Sequence, residues 1–194
     1  MIAEPYRTSM TVEEYLELDR TSQDTRYEYI DSIVTLLAGG TANHSRVSIN
    51  LTKLLDSALQ DQPCQIFNSD MRVSISATRY VYPDVSVSCD PRDQQQGDID
   101  IIHHPCLIVE VLSPTTEAYD RTKKFSYYRD CPSVQEVILV STQEQAVDLY
   151  RRATDKLWTL HLFRLGDEIE LTSVNVRMPI AAIYEKIVFS QGSS

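Results

Sequence analysis

At 194 residues and a net charge of −10, the chain is long enough to bury one full core and has no general basic surface. Apolar residues at 42% and charged residues at 24% are ordinary globular proportions. Affinity for nucleic acid by charge alone needs clustered Lys and Arg, so the acidic balance argues against a protein that simply coats DNA.

Thr11-Val12-Glu13-Glu14 is a capping-box pattern, and Val12, Tyr15, Leu16 and Leu18 predict a short helix to about Asp19. Arg26 to Ala38 reads as a hairpin turning at Asp31-Ser32, and Gly39-Gly40 breaks it. Asn43 is the expected cap of a second helix, His44 to about Leu59, with Val47, Leu51, Leu54, Leu55 and Ala58 on one stripe. Strands are expected at Cys64–Asn68, Met71–Ser76 and Val81–Ser88, then a polar, Gln-rich loop over Asp90 to Asp100, expected to be mobile. Strand Leu107–Leu112 leads into a helix from about Glu117 to Arg129, which Cys131-Pro132 closes. Gln135–Ser141 is an apolar strand, Gln145–Arg151 and Leu157–Arg164 alternate like an antiparallel pair, and Gly166-Asp167 turns into Glu168–Leu171. Pro179 opens a last short helix with Ile180, Ile183 and Ile187 inward. This order predicts one α/β (α+β) domain over 1–194, with a helix and hairpin in 1–40 and strands plus a short helix in 145–190.

The longest apolar run, Ile33 to Ala38, is too short to span a bilayer, so a soluble, cytoplasmic protein is expected. Cys64, Cys89, Cys106 and Cys131 are scattered without C-x-x-C spacing, which predicts neither a zinc knuckle nor a disulfide framework. His103-His104-Pro105-Cys106 has no second pair at ligand spacing and reads as a loop.

The chemistry concentrates between Tyr82 and Tyr128. Val85, Val87 and Cys89 share one strand face, so Asp84 falls on the other with Ser86 and Ser88. Leu107, Val109 and Val111 share a face, and Glu110 takes the opposite one. A carboxylate in so apolar a run needs a partner. Two such acids followed by a helical lysine could hold a hard divalent cation and set an ammonium beside the attacked group. The same residues could equally be an Asp at a strand start and a Glu salt-bridged to Lys124 in a core. Asp120 and Lys124 are four apart on one helical face, with Tyr127 and Tyr128 a turn further on. His44 is a ligand or phosphate contact, or a solvated residue; Glu28 is a weaker candidate. Ser113 lacks a G-x-S-x-G setting and is rejected as a nucleophile.

Tyr27-Glu28-Tyr29-Ile30-Asp31, Asn43-His44, Ser69-Asp70-Met71-Arg72-Val73, Tyr82-Pro83-Asp84-Val85, Val109 to Thr116, and Tyr119-Asp120-Arg121 with Lys124 and Tyr127-Tyr128 together resemble the Uma-type putative restriction endonuclease family, part of the PD-(D/E)xK nuclease superfamily. The likeness runs from about residue 10 to residue 152. It implies a restriction-endonuclease-like core, a central mixed β-sheet flanked by helices, with Mg²⁺ (or Mn²⁺) as cofactor and DNA as substrate. Asp84 and Glu110 match the metal-binding acids, and the backbone carbonyl of Val111 matches a third oxygen ligand. The superfamily lysine stands two residues after the second acid, where this chain has Leu112; Lys124 resembles a lysine migrated to the following helix. His44, Glu28, Asp120 and Tyr128 are accessory candidates. Ser32 replaces the usual glycine of the hairpin. Paired cutting of two strands, with exposed strand edges expected after Gln145, implies a two-fold homodimer, and the short apolar runs imply no membrane partner. Two alternatives stand beside this: a catalytically silent module for DNA docking or protein assembly, and a hydrolase of another class or structural protein in which Glu110 pairs with Lys124. The nuclease reading expects the two carboxylates within roughly 3–6 Å of each other.

Overall fold

A computed structural model describes residues 7–22, 24–37, 39–94 and 99–189. The end of the hairpin at Ala38, the first residues of the N-terminus and part of the Gln-rich loop lie outside the described residues.

A short strand not foreseen from sequence, β1 (Arg7–Ser9), precedes helix α1 (Val12–Thr21). The capping box forms: Glu14 N–H donates to Thr11 Oγ1 at 3.2 Å, and Thr11 N–H donates to the Glu14 carboxylate at 2.8 Å. The hairpin is β2 (Tyr27–Ile30) and β3 (Ile33–Leu36), and its turn residues Asp31 and Ser32 have φ of 48° and 75°. Both lie in the left-handed region that a two-residue hairpin turn of right-handed twist requires. Helix α2 (Ala42–Leu59) starts earlier than expected because Thr41, not Asn43, is its cap, accepting His44 N–H at 3.2 Å. Asn43 instead donates to the Val188 carbonyl.

Strands β4 (Gln65–Asn68) and β5 (Arg72–Ser76) follow. The expected single strand over Val81–Ser88 is two strands in different sheets, β6 (Arg79–Val81) and β7 (Val85–Ser88). Pro83 between them has no N–H for a ladder, so the chain leaves one sheet and enters the other there. The two-residue strand β8 (Ile101–Ile102) precedes β9 (Leu107–Leu112). The expected helix after it is one helical run in three parts: α3 (Glu117–Tyr119), a π-helical turn over Asp120–Lys124, and α4 (Phe125–Asp130). Then come β10 (Glu136–Ser141), β11 (Ala146–Arg152), β12 (Trp158–Arg164), β13 (Glu168–Leu171), β14 (Val176–Pro179) and α5 (Ile180–Ile183).

Among the described residues the strands form two six-stranded mixed sheets, ordered β1-β3-β2-β6-β5-β8 and β12-β11-β10-β9-β7-β4, and a β13-β14 ribbon. One face of the second sheet, with Val109, Val111 and Val140, packs on Val47, Leu51 and Leu55 of α2 and on Ile180 and Ile183. Complete burial of a leucine such as Leu51 or Leu55 contributes about 1.5–3 kcal/mol. The other face, with Ile108, Leu112, Val137 and Leu139, meets Tyr128 and Phe125 and the Val73, Ile75 and Val81 face of the first sheet. The far face of the first sheet holds Tyr29 and Tyr80 under Tyr15 of α1. The expectation of a mixed sheet flanked by helices therefore holds, with the helical run of Glu117–Asp130 lodged between two sheets.

The cysteines correct the sequence reading. Cys64 and Cys89 are joined by a disulfide, while Cys106 and Cys131 are free. The β4–β7 register pairs Gln65 with Ser88, so one step further sets Cys64 opposite Cys89. Sequence spacing cannot show a pairing that arises from register.

Candidate active site

Five elements converge on one site: β2, α2, β7, β9 and the Glu117–Asp130 helical run. The β7–β9 ladder pairs Val87 with Leu107, Ser86 with Ile108 and Val85 with Val109. Carried one step past its last pair, the same register sets Asp84 opposite Glu110, and directly opposed residues of antiparallel strands share a face. Asp84 confirms the placement by reaching the next residue: its Oδ2 accepts the Val111 N–H at 2.7 Å. The N–H and C=O of one strand residue point to the same side, so the Val111 carbonyl faces that edge too. Asp84 Oδ1 lies 3.2 Å from His44 Nε2 in the first turn of α2. That hydrogen bond raises the imidazole pKa against the opposing effect of burial.

Lys124 Nζ stands 2.8 Å from Glu110 Oε1 and 3.0 Å from Glu28 Oε1, so its ammonium bridges the second sheet to β2 of the first. All three side chains are buried. Tyr128, one turn on, donates its hydroxyl to Glu110 Oε1. Glu28 Oε1 also accepts the Tyr82 N–H at 3.3 Å, where the chain crosses between sheets. Lys124 reaches this position through the π turn: the Phe125 N–H donates to the Asp120 carbonyl, five residues back. Such turns insert a residue into a helix and concentrate at functional sites. Here Asp120 and Lys124 are both buried, while Thr122 and Lys123 remain exposed. Asp120 is held by the Thr116 side chain and feels the charges of Lys124, Glu28 and Asp84.

The structure thus brings together Glu28, His44, Asp84, Glu110, Asp120, Lys124 and Tyr128, every side chain singled out from sequence. Reading the sequence missed Tyr82 N–H, Thr116 and the π turn; Pro83 was a visible signal for the first, and nothing in the residue pattern signals the last. Ser113 bonds to the Thr115 and Thr116 hydroxyls in the turn before α3. A cavity of about 580 Å³ lined by Arg129, Asp130, Pro132, Arg152, Asp155 and Lys156 includes none of these residues. It is a shallow groove in which Arg152 is already engaged with the Arg129, Cys131 and Val134 carbonyls.

The profile of the Uma2 family, described as "Putative restriction endonuclease", matches residues 12–181. The chain belongs to the Uma2 family. Uncharacterized protein slr1290 of Synechocystis sp. is 39% identical over 181 residues, covering 93% of this chain and 94% of that one. Uncharacterized protein sll1609 of the same organism is 32% identical over 169 residues, covering 86% and 95%. In fold, the chain is similar to the crystal structure of a putative nuclease belonging to DUF820 from Anabaena variabilis, with a TM-score of 0.76 at 20% identity over 92% of this chain and 99% of that one.

Charge in this Uma2 cluster is unbalanced. Glu28, Asp84, Glu110 and Asp120 face Lys124 and His44, an excess of two negative charges when every group is ionised. Burial, with Asp84 and Asp120 adding and Lys124 opposing, pushes the Glu110 carboxyl up to about 8. Burial also raises Asp120. Burial works against the charge on Lys124, but Glu110 and Glu28 prevail and hold its pKa well above the ordinary lysine value. Such an excess favours the protonated forms of Glu110 and Asp120. Among the described residues no group of three or more His, Cys, Asp or Glu side chains is already arranged to hold a metal ion. The oxygen donors have the hard character that Mg²⁺ or Mn²⁺ prefers, and Lys124 is the cation they now surround. No described helix is long and apolar enough to cross a membrane.

Proposed function

We propose that this protein is a divalent-cation-dependent endonuclease acting on DNA phosphodiester bonds, with Asp84, Glu110 and Lys124 as its catalytic set. The observation that carries this reading is the register that sets Asp84 opposite Glu110, at the point where the chain crosses between sheets. Asp84, Glu110 and the Val111 carbonyl would hold Mg²⁺ or Mn²⁺, which supplies activation of water and neutralisation of phosphate oxygens. His44 fixes Asp84 by its ring N–H. Tyr128 and Glu28 fix Glu110 and Lys124 on either side. Lys124 is then free to turn its ammonium from Glu110 toward the attacked phosphate, where it stabilises charge that develops in the transition state. The acidic surface limits non-specific affinity, so binding would rest on this pocket and on local basic side chains.

We further propose a two-fold homodimer. Edge strand β12 leaves Leu160 and Leu162 half exposed on one face, with Leu162 continuing the Glu110, Leu139 and Asp148 row and Leu160 the Ile108, Val137 and Tyr150 row. An antiparallel meeting with the same strand of a second copy would cover both leucines and the open edge. Sedimentation at tens of micromolar should give a dimer, and Leu160→Glu with Leu162→Glu a monomer.

A second reading has its own support. Lys124 is already paired with both Glu110 and Glu28, as in a structural ion triad of a catalytically silent DNA-docking or assembly module. Calorimetric titration of the protein with Mg²⁺ and Mn²⁺, beside cleavage of supercoiled and single-stranded DNA, separates the two. Stoichiometric binding lost in Asp84→Asn, with cleavage, supports the nuclease. Absence of binding at millimolar cation and of cleavage supports the silent module.

A further inference from the structure

Three of the four cysteines meet at the end of the second sheet remote from Asp84 and Glu110. Cys64 precedes β4, Cys89 follows β7 and Cys106 precedes β9, so one cysteine belongs to each of three neighbouring strands. Cys89 is bonded to Cys64, and its Sγ lies 3.7 Å from the Sγ of Cys106. Cys106 is pinned there by its N–H and its thiol, both donating to the Val87 carbonyl, at 2.8 and 3.3 Å. All three residues are half-buried and none is sealed from solvent. Cys131 is different: it lies buried in the core between the sheets, with Ser133 as its polar neighbour.

We propose that Cys64, Cys89 and Cys106 form a thiol–disulfide exchange centre in which Cys89 is the shared sulfur. Cys106 loses its proton to solvent and attacks Cys89 Sγ. The Cys89–Cys106 bond forms, the Cys64–Cys89 bond breaks, and its electron pair leaves on Cys64, which takes a proton from water. One disulfide and one thiol stand on each side of the step, so no oxidant is consumed. At 3.7 Å the Cys106 sulfur is already in van der Waals contact with the disulfide sulfur that it would attack. Burial, with the Glu136 carboxylate adding to it, pushes the Cys106 thiol up to about 11. The exchange is therefore slow at neutral pH, because the thiol and not the thiolate predominates.

The exchange moves a staple. In one form it ties β7 to the outermost strand β4; in the other it ties β7 to β9. These are the two strands that carry Asp84 and Glu110, about 17 Å away along β7 at the usual strand rise. The centre is thus a modification site whose state decides whether the edge strand is fastened.

The test is time-resolved alkylation of the native protein, purified without reductant, followed by non-reducing peptide mass mapping. In the wild type, label should accumulate on Cys64 as well as on Cys106 while Cys131 stays unlabelled. In Cys106→Ser, labelling at Cys64 should fall about tenfold or more, since nothing remains to displace it. Cys64→Ser, treated with oxidised glutathione, should close a Cys89–Cys106 bridge. Label confined to Cys106 in the wild type would overturn the proposal, as would label on all three thiols with no bridge present. A Cys64→Ser protein carrying glutathione on Cys89 and no internal bridge would do the same.

Discussion

Glu110 and Glu136 are buried glutamates on neighbouring strands of one sheet, held in opposite ways. Glu136 Oε1 accepts from Arg151 at 2.7 Å and from the Thr172 amide and hydroxyl, while Oε2 accepts from the Ser173 amide and hydroxyl at 2.9 and 2.6 Å. Donors outnumber its oxygens, and it clamps β10 to the loop of the β13–β14 ribbon. Glu110 shares a single ammonium with Glu28 and looks toward Asp84 and Asp120. Donor-saturated burial makes a fastener. Burial with too few donors leaves negative potential unspent, and that potential is what a cation or phosphate chemistry can use.

The largest expected effect separates these two residues. Glu110→Gln should abolish cation-dependent cleavage, yet change metal-free stability by no more than about 1 kcal/mol near pH 7, because neutralising one of several facing acids relieves their repulsion while Lys124 keeps Glu28. Glu136→Gln should do the reverse, costing about 3–5 kcal/mol through the unpaired Arg151 and lost acceptors while the folded fraction still cleaves. Thermal midpoints in EDTA beside plasmid nicking assays read both. Loss of stability in Glu110→Gln as great as in Glu136→Gln would make Glu110 a fastener too and end the distinction.

Next in size is Lys124→Met, which fills the space but removes the only ammonium between Glu28 and Glu110. It should cost about 3–5 kcal/mol at pH 8 and less at pH 5, where the carboxyls take up protons, and it should remove cleavage at either pH. Denaturant unfolding at both pH values checks this. Equal loss at the two would show that packing, not charge, holds Lys124.

Much of this was legible in the chain. Period-two alternation placed Asp84 on the face opposite Val85 and Val87 and Glu110 on the face opposite Val109 and Val111, and the stripe in His44 to Leu59 gave α2, because both signals are local. Lys124 was found by its place on the helix after β9. What escaped depends on contacts between distant segments. Pro83 allowed a strand to be broken but could not say that its halves join different sheets. The Cys64–Cys89 bridge follows from the β4–β7 register, and Glu28 meets Lys124 only because the two sheets pack face to face. The π turn over Asp120–Lys124 has no residue signature at all.

A smaller effect is the pH dependence of metal-free stability. Glu110, Asp120 and His44 all have folded pKa values raised above their ordinary ones. The folded state therefore binds more protons than the unfolded one, and stability falls as pH rises. For Glu110 the window runs from its ordinary 4.5 to about 8, with a slope of up to about 1.4 kcal/mol per pH unit for one proton. Saturating Mg²⁺, in place of those protons, should flatten the curve. A metal-free curve that rises over the same window would refute the charge excess.

The smallest effect lies in the hairpin that carries Glu28. Ser32 has φ of 75°, and its neighbour Asp31 has φ of 48°. A side chain in the left-handed region costs about 1–2 kcal/mol, and glycine avoids that cost while adding unfolded-state entropy. Ser32→Gly should thus gain about 0.5–1 kcal/mol, a rise of roughly 2–3 °C in thermal midpoint for a chain of this length. Asp31 in the same turn is held below its ordinary pKa by its hydrogen bonds to Arg79 and Thr78, so its contribution is lost only as pH falls. Between pH 5 and 8 the gain should therefore be constant, shifting the stability curve without changing its slope. Glu28 sits three residues before Asp31, on the strand that leads into the turn. A gain that grows with pH would mean that relaxing the turn lets β2 move Glu28 against Lys124, so that backbone strain and the charge cluster are coupled.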